Sequence, residues 1–354
     1  MTPILAQTPV LLIGEFPSEH DEGQGYPFVG SAGMELNSAL VDAGFPLAKA
    51  KYPSDLRNIW LNQRHVSLTN VFHERPPKND LNNWKVPRKE AGPGRHIPLT
   101  GGVIDPSRTA GAVARLTREI EIVQPNIIVA LGNTALAAVC GVTGIAKLRG
   151  ALHSSEGRKV LGTYHPAAVL RNYELRPAVV ADLIKSRAES KSPEVRLLAR
   201  RIHVAPTLAD LGEWREILLR ASHIAFDIET KWRQITCIGF APSPLEAYVV
   251  PFFDGRGQSY WSEEEEVVAY SFVREVMESP AIKIAHNGIY DTQYLFKYDI
   301  AARNFTEDTM LLFHSLYPAM PKALGFLGSI YANERAWKAW RVRGSDTHSL
   351  KREE

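Results

Sequence analysis

Phe226-Asp227-Ile228-Glu229-Thr230 sets two carboxylates two residues apart in a strand-like run, so both side chains leave one face. Farther on, Ile284-Ala285-His286-Asn287-Gly288-Ile289-Tyr290-Asp291 places Asn287 and Asp291 four apart, where a strand gives way to a helix. Asp227, Glu229 and Asp291, converging from separate elements, could hold paired divalent ions for phosphodiester hydrolysis; a strand-end Asp/Glu pair without metal is the plainer alternative. A second candidate lies near the start. Residues 14–33 leave the end of a buried strand, where open α/β sheets place their ligand sites. They combine carboxylates, glycines that let backbone approach closely, and the aromatic Phe28, the inventory of a small polar pocket. A solvated acidic turn would have much the same composition.

Residues 72–104 form a long connection rich in Pro, Gly, Asn and Lys/Arg, and connections of that length are usually functional or disordered. Within it, over Arg75–His96, Arg75, Lys78, Lys85, Arg88, Lys89 and Arg95 stand against Asp80 and Glu90, beside Trp84. Such a loop can neutralise phosphates and make binding salt-dependent. The whole chain shows no such bias: 41 Lys+Arg against 39 Asp+Glu give a net charge of +2, so any nucleic-acid contact must be local.

The elements that must position these groups come in two sets. Val10–Ile13, Val66–Thr69, Ile127–Leu131 and Lys159–Thr163 read as strands. Helices are expected at about Ala32–Ala43 and at Pro106–Val123, the latter with Asp105 as N-cap and Pro106 at its first position. Alternation of this kind predicts an α/β sheet covered on both faces. After a polar stretch, a second α/β set follows: a helix at Leu208–Ala221, strands at His223–Ile228, Ile235–Phe240 and Ala247–Val250, a helix at Glu263–Glu278 opened by a Ser262/Glu265 capping box, a strand at Ile282–Ala285 and a helix from about Tyr290. At 354 residues, 45% hydrophobic and 23% charged, the chain has the length for two globular domains, and collagen, coiled coil and wholesale disorder are excluded. The two cysteines, Cys140 and Cys237, cannot build a disulfide framework or a four-cysteine metal site. The start does not read as a secretory signal and the longest apolar stretch is too polar for a membrane span, so a reduced cytoplasmic setting without membrane contact is expected.

Four ordered segments across residues 10–187 resemble the uracil-DNA glycosylase superfamily, nearest its family 4-like, phage-type group. Gly14-Glu15-Phe16-Pro17-Ser18 and Pro27–Gly33 match its first motif, Leu68-Thr69-Asn70-Val71 with Arg75-Pro76-Pro77 its strand-end Asn segment, Leu148-Arg149-Gly150 its Leu-Arg-Gly turn, and Thr163-Tyr164-His165-Pro166 its terminal His-Pro motif. The resemblance implies a three-layer α/β/α domain around a mainly parallel sheet, acting without a cofactor on uracil flipped out of DNA. Gly14, Phe16, Pro17, Ser18, Phe28 and Asn70 would form the base pocket, with Phe28 stacking on uracil and Asn70 telling uracil from cytosine. His165 would bind the O2 on which charge grows, and Glu15 or Asp21 would stabilise the cationic sugar and position water. Arg75, Lys78, Lys85, Arg88, Lys89 and Arg149 would meet DNA phosphates, and Leu170 with Arg171 would enter the duplex as a wedge. The chain departs from family 4 in lacking the cysteines of its iron–sulfur cluster: Glu74 stands before Arg75, and the cluster is expected to be missing. Ser18 and Phe16 also replace smaller family residues.

Residues 222–337 resemble the DEDD-type 3′–5′ exonuclease domains of family A DNA polymerases, through the two carboxylate segments and through Asp308-Thr309-Met310-Leu311-Leu312 and Pro321–Leu327. This implies an RNase H-like α/β domain and Mg2+ or Mn2+ at Asp227, Glu229 and Asp291. The third exonuclease motif is not found after Asp291, so that domain and its site are expected to be incomplete. The expected division is 1–187, a linker at 188–205, and 206–354. The expected partner is uracil-containing DNA, and a DNA polymerase is a further one under the alternative that the chain is a non-catalytic or proofreading accessory module.

Overall fold

The computed structural model describes residues 1–332. The chain forms two compact units, one of Met1–Leu197 joined by the described residues 325–332, the other of Leu198–Leu324.

In chain order the first unit gives β1 (Val10–Gly14), α1 (Glu19–Gln24), α2 (Ser31–Asp42), α3 (Pro53–Asn62), β2 (Val66–Asn70), a small sheet of β3 (Lys85–Val86), β4 (Pro98–Leu99) and β5 (Gly102–Ile104), then α4 (Pro106–Val123), β6 (Ile127–Leu131), α5 (Asn133–Cys140), α6 (Ile145–Leu148), β7 (Leu152–Ser155), β8 (Arg158–Thr163), α7 (Pro166–Arg171) and α8 (Arg176–Glu189). Its main sheet has the order β2-β1-β6-β8-β7, parallel except for β7. Side chains alternate between faces along β1. Val10 and Leu12 join one core with Leu36, Leu40, Leu56, Trp60 and Leu183, while Leu11 and Ile13 join another with Leu116, Leu136 and Val139. This is the expected three-layer arrangement. Helix α4 starts and stops where its sequence directs: Asp105 accepts from the Ser107 amide (2.8 Å), Pro106 takes the first turn, and Gln124 closes the helix in a left-handed conformation.

The long connection at 72–104 is neither extended nor featureless. Leu81, Trp84 and Ile97 are buried with Phe72 and Ile104 in the second core, and Trp84 packs edge-on against Phe72 with the Arg108 guanidinium over its ring. Apolar anchors thus fix a loop whose polar residues suggest mobility.

The second unit carries β9 (Arg201–His203), α9 (Leu208–Arg220), β10 (His223–Lys231), β11 (Gln234–Ser243), β12 (Glu246–Pro251), α10 (Glu263–Glu278), β13 (Ile282–Ala285), α11 (Ile289–Phe296), β14 (Phe305–Asp308) and α12 (Thr309–Leu316). β10, β11 and β12 form an antiparallel meander, and β13 and β14 add parallel to β10, giving the order β14-β13-β10-β11-β12-β9. A meander extended on its first strand by parallel crossovers is the RNase H-like layout. The capping box at α10 is formed: the Ser262 amide donates to Glu265 Oε2 (3.0 Å) and the Glu265 amide to Ser262 Oγ (3.3 Å).

One expectation is corrected. The sequence resemblance puts the last described helix, α13 (Leu324–Tyr331), with the exonuclease-like part, but residues 325–332 pack in the first unit. The apolar run Leu324-Gly325-Phe326-Leu327 buries Leu327, and polar anchors at Arg149 and Lys185 hold the helix there. The charged tail at 341–354 lies outside the described residues. Among those residues, no helix is long and apolar enough to cross a membrane.

Candidate active site

The carboxyl ends of β1, β2, β6 and β8 share one edge of the first sheet, and β1 is flanked by β2 on one side and β6 on the other. Such a reversal of strand order leaves a crevice above the strand ends. A cleft of about 430 Å³ lies there, lined by Glu15, Phe16, Ser18, Asp21, Phe28, Asn70, His165 and Arg171. Residues expected from distant segments therefore meet in one place.

Gly14 is the hinge of this convergence. A Cβ on it would lie 2.2 Å from Asn70 Oδ1 and 2.5 Å from Phe28 Cζ, so only glycine lets both side chains lie against β1. Phe28 itself takes a left-handed backbone (φ 56), with its carbonyl accepting from Trp60 Nε1 (2.8 Å) and crowding Gly33, where a Cβ would come within 1.9 Å. Its ring centroid lies 6.0 Å from that of His165. Arg115 holds the end of β2 by donating to the Asn70 carbonyl (2.8 Å). The Asn70 side-chain Oδ1 is buried and has no hydrogen-bond partner, and Nδ2 reaches only the Met1 sulfur at 4.0 Å. A buried acceptor left unpaired costs about 1–3 kcal/mol, and a ligand donor would relieve that cost.

His165 opens α7. Its Nδ1 accepts from the Ala167 amide (3.2 Å), which puts the proton of a neutral ring on Nε2. Burial, aided by the Arg171 charge, lowers its pKa to about 4, so at neutral pH His165 is an uncharged donor. Burial raises the Glu15 pKa above the ordinary carboxylate value, although the hydrogen bond from Thr134 Oγ1 and the Arg171 charge oppose it.

The two acid candidates differ in their commitments. Asp21 gives one oxygen to the Val29 amide (2.8 Å) and the other to the Ser18 amide (2.9 Å), bracing the turn that carries Phe28. Glu15 is bound by a single side-chain hydroxyl. Sequence reasoning misses Thr134, along with Asn79, Asp80, Leu81 and Leu99, which line the cleft from the long connection. The strand-end rule applied to β6 as well as β1 would have found Thr134.

One of the expected DNA contacts is corrected. Arg149 is 1% exposed and paired with Asp182, out of reach of a phosphate. Arg75 is partly exposed and pairs at the surface with Glu19 (3.2 Å) and Glu22 (3.8 Å) on α1. Lys78, Lys85, Arg88 and Lys89 are exposed on the long connection, and Leu170 and Arg171 are exposed at the end of α7 beside the cleft.

The family 4 iron–sulfur cluster does not fit this chain. It takes four thiolates, whereas the chain has two cysteines, placed in different units. In the second unit Asp227 and Glu229 do emerge together on the exposed face of β10. Asp291 is buried, with Oδ1 accepting from the Ile228 amide (2.8 Å); burial raises its pKa to about 6. Asp308 caps α12 and receives the Asn287 and Gly288 amides, a structural role. Among the described residues no group of three His, Cys, Asp or Glu is placed to hold a metal.

A family model described as the uracil DNA glycosylase superfamily matches residues 4–186. A type-4 uracil-DNA glycosylase of Thermotoga maritima is 31% identical over 186 residues, covering 51% of this chain and 77% of that one. A DNA polymerase of Bacillus phage SP01 is 27% identical over 225 residues, covering 55% of this chain but only 24% of the polymerase. Among solved structures, Escherichia coli RNase D, an exoribonuclease involved in structured RNA processing, aligns with a TM-score of 0.28 and 15% identity, covering 38% of this chain and 34% of that one.

Proposed function

Because the chain belongs to the uracil DNA glycosylase superfamily, we propose that its first unit hydrolyses the N-glycosidic bond of uracil flipped out of DNA. The observation that carries this reading is the orphaned Asn70 Oδ1 in the wall of the cleft. Uracil N3–H supplies the missing donor and uracil O4 accepts from Nδ2; cytosine offers the reverse at both atoms. Phe28 gives the base a stacking surface, as base-flipping enzymes require.

The chemistry follows from the charges in place. As the glycosidic bond breaks, negative charge grows on uracil O2 and positive charge on the sugar. His165, neutral and with its proton on Nε2, donates to O2 without repelling the cationic sugar. Glu15 faces the sugar, offsets its charge and holds the attacking water, with Thr134 fixing the carboxylate. Asp21 keeps the Phe28 turn in place. Leu170 and Arg171 meet the duplex, and Lys78, Lys85, Arg88 and Lys89 meet phosphates along the long connection. No step is assigned to the second unit.

A second reading, an accessory module of a phage-type DNA polymerase, is favoured by the likeness to the phage SP01 enzyme. Single-turnover excision separates the two. The glycosylase reading expects uracil release by the full chain and a loss of about 10²–10³-fold in His165→Ala; an inert chain that still binds DNA supports the accessory role.

A further inference from the structure

Arg149 and Asp182 are each 1% exposed, a charge pair withdrawn from water. Such a pair is tolerated when its other donors and acceptors are also satisfied. Asp182, on α8, accepts from Arg149 Nε (2.8 Å) and Nη2, and from Thr163 Oγ1 (2.6 Å). Thr163 ends β8 two residues before His165, and its carbonyl accepts from the Gly132 amide (2.8 Å). The pair therefore sits directly beneath the strand end that delivers His165 to the cleft.

Its other side is closed by α13. Arg149 Nη1 donates to Ser329 Oγ (2.9 Å), and the guanidinium lies 4.8 Å from the centre of the Phe326 ring. Lys185, on the same helix as Asp182, donates to the carbonyls of Gly150 (2.8 Å), Ser329 and Ala332 (2.8 Å), satisfying the last turn of α13. Gly150 has a left-handed backbone (φ 68), and a Cβ there would meet Asp182 Oδ1 at 2.6 Å and the Ser329 carbonyl at 2.7 Å. The junction is thus close-packed and polar at once.

We propose that α13 is a working part of the glycosylase site: Phe326 and Ser329 lock Arg149 onto Asp182, and Asp182 holds His165 in register through Thr163. This inference rests on the glycosylase reading and deepens it. The activity would then depend on a helix supplied from beyond the second unit, which makes that unit an insertion within the first. Arg149, Asp182, Thr163, Phe326 and Ser329 are positioning residues, since none of them lines the cleft.

The test uses full-length chains carrying Phe326→Ala, Ser329→Ala, Thr163→Val and, as the conservative control, Thr163→Ser. The readouts are the imidazole NMR signals of His165, assigned by their loss in His165→Ala, together with kcat and KM for uracil release from single-stranded oligonucleotides. Phe326→Ala and Thr163→Val are expected to shift and broaden the His165 signals and to lower kcat roughly 10- to 100-fold with KM within about twofold, as small misplacements of catalytic groups do. Ser329→Ala moves the signals in the same direction, and Thr163→Ser matches the wild type. Unmoved His165 signals in folded Phe326→Ala and Thr163→Val chains overturn the proposal. A wild-type chain that releases no uracil overturns the glycosylase reading instead, and the His165 signals still decide the positioning.

Discussion

Asn70→Leu should leave the protein folded and make it nearly inactive. The two side chains have the same branching and heavy-atom count, but leucine's methyls are bulkier than the amide O and NH2 and press on Gly14 and Phe28, at about 1–3 kcal/mol; Asn70 is 2% exposed with its Oδ1 unpaired. Replacing an unsatisfied buried acceptor by an apolar group of the same shape recovers its desolvation cost, about 1–3 kcal/mol. Against this gain stands the weak hydrogen bond from Nδ2 to the Met1 sulfur, 4.0 Å long, which leucine cannot make. Gain and crowding nearly offset, so the melting temperature should stay within a few degrees of the wild type, at roughly 2–4 °C per kcal/mol for a domain of this size. In the substrate complex the same change leaves uracil N3–H and O4 both unpaired, at roughly 1–3 kcal/mol each, so excision falls about 30-fold to more than 10⁴-fold. Thermal unfolding by circular dichroism and single-turnover excision on one preparation read both effects. A folded variant that excises uracil at the wild-type rate refutes the assignment of Asn70 as the base reader.

No limb of the excision rate near pH 6.5 should arise from His165, which is held down to about 4 and is neutral from roughly pH 5 upward. The acid limb instead belongs to Glu15, whose raised pKa means that its carboxylate is protonated already above the ordinary Glu range; Glu15→Gln should remove that limb, whereas a limb near 6.5 that disappears in His165→Ala contradicts the assignment. Leu170→Ala should cost several-fold more on duplex than on single-stranded uracil DNA, since only the duplex has to be opened, and equal effects would exclude a wedge. Arg88→Ala with Lys89→Ala should flatten the salt dependence of single-strand binding by about 0.7 per phosphate no longer neutralised in the slope of log K against log[salt], measured by fluorescence anisotropy.

Local rules carried much of the architecture. Asp105-Pro106 and Gln124 bound α4 as capping chemistry requires, and Ser262 with Glu265 opens α10 at the expected residue. The cleft was legible because each of its main residues stands at or just after a strand end: Glu15 after β1, Asn70 closing β2 and His165 after β8. What escaped depended on long-range packing. Arg149 looks like a surface cation in sequence, and only the meeting of α8 with α13 buries it against Asp182. Arg75 is likewise drawn to α1, whose acids lie more than fifty residues earlier. The long connection reads as polar, yet the few apolar residues Leu81, Trp84 and Ile97 decide its path. No spacing within 320–332 distinguishes a helix that returns to the first unit from one that continues the second.

The most direct test is mass spectrometry of the products formed from a single-stranded oligonucleotide with one internal uracil, incubated with the full chain in EDTA. Free uracil and a full-length strand bearing one abasic site are expected, with no product from the matched cytosine strand. An unchanged uracil strand, or one shortened from its 3′ end without loss of the base, contradicts the glycosylase reading.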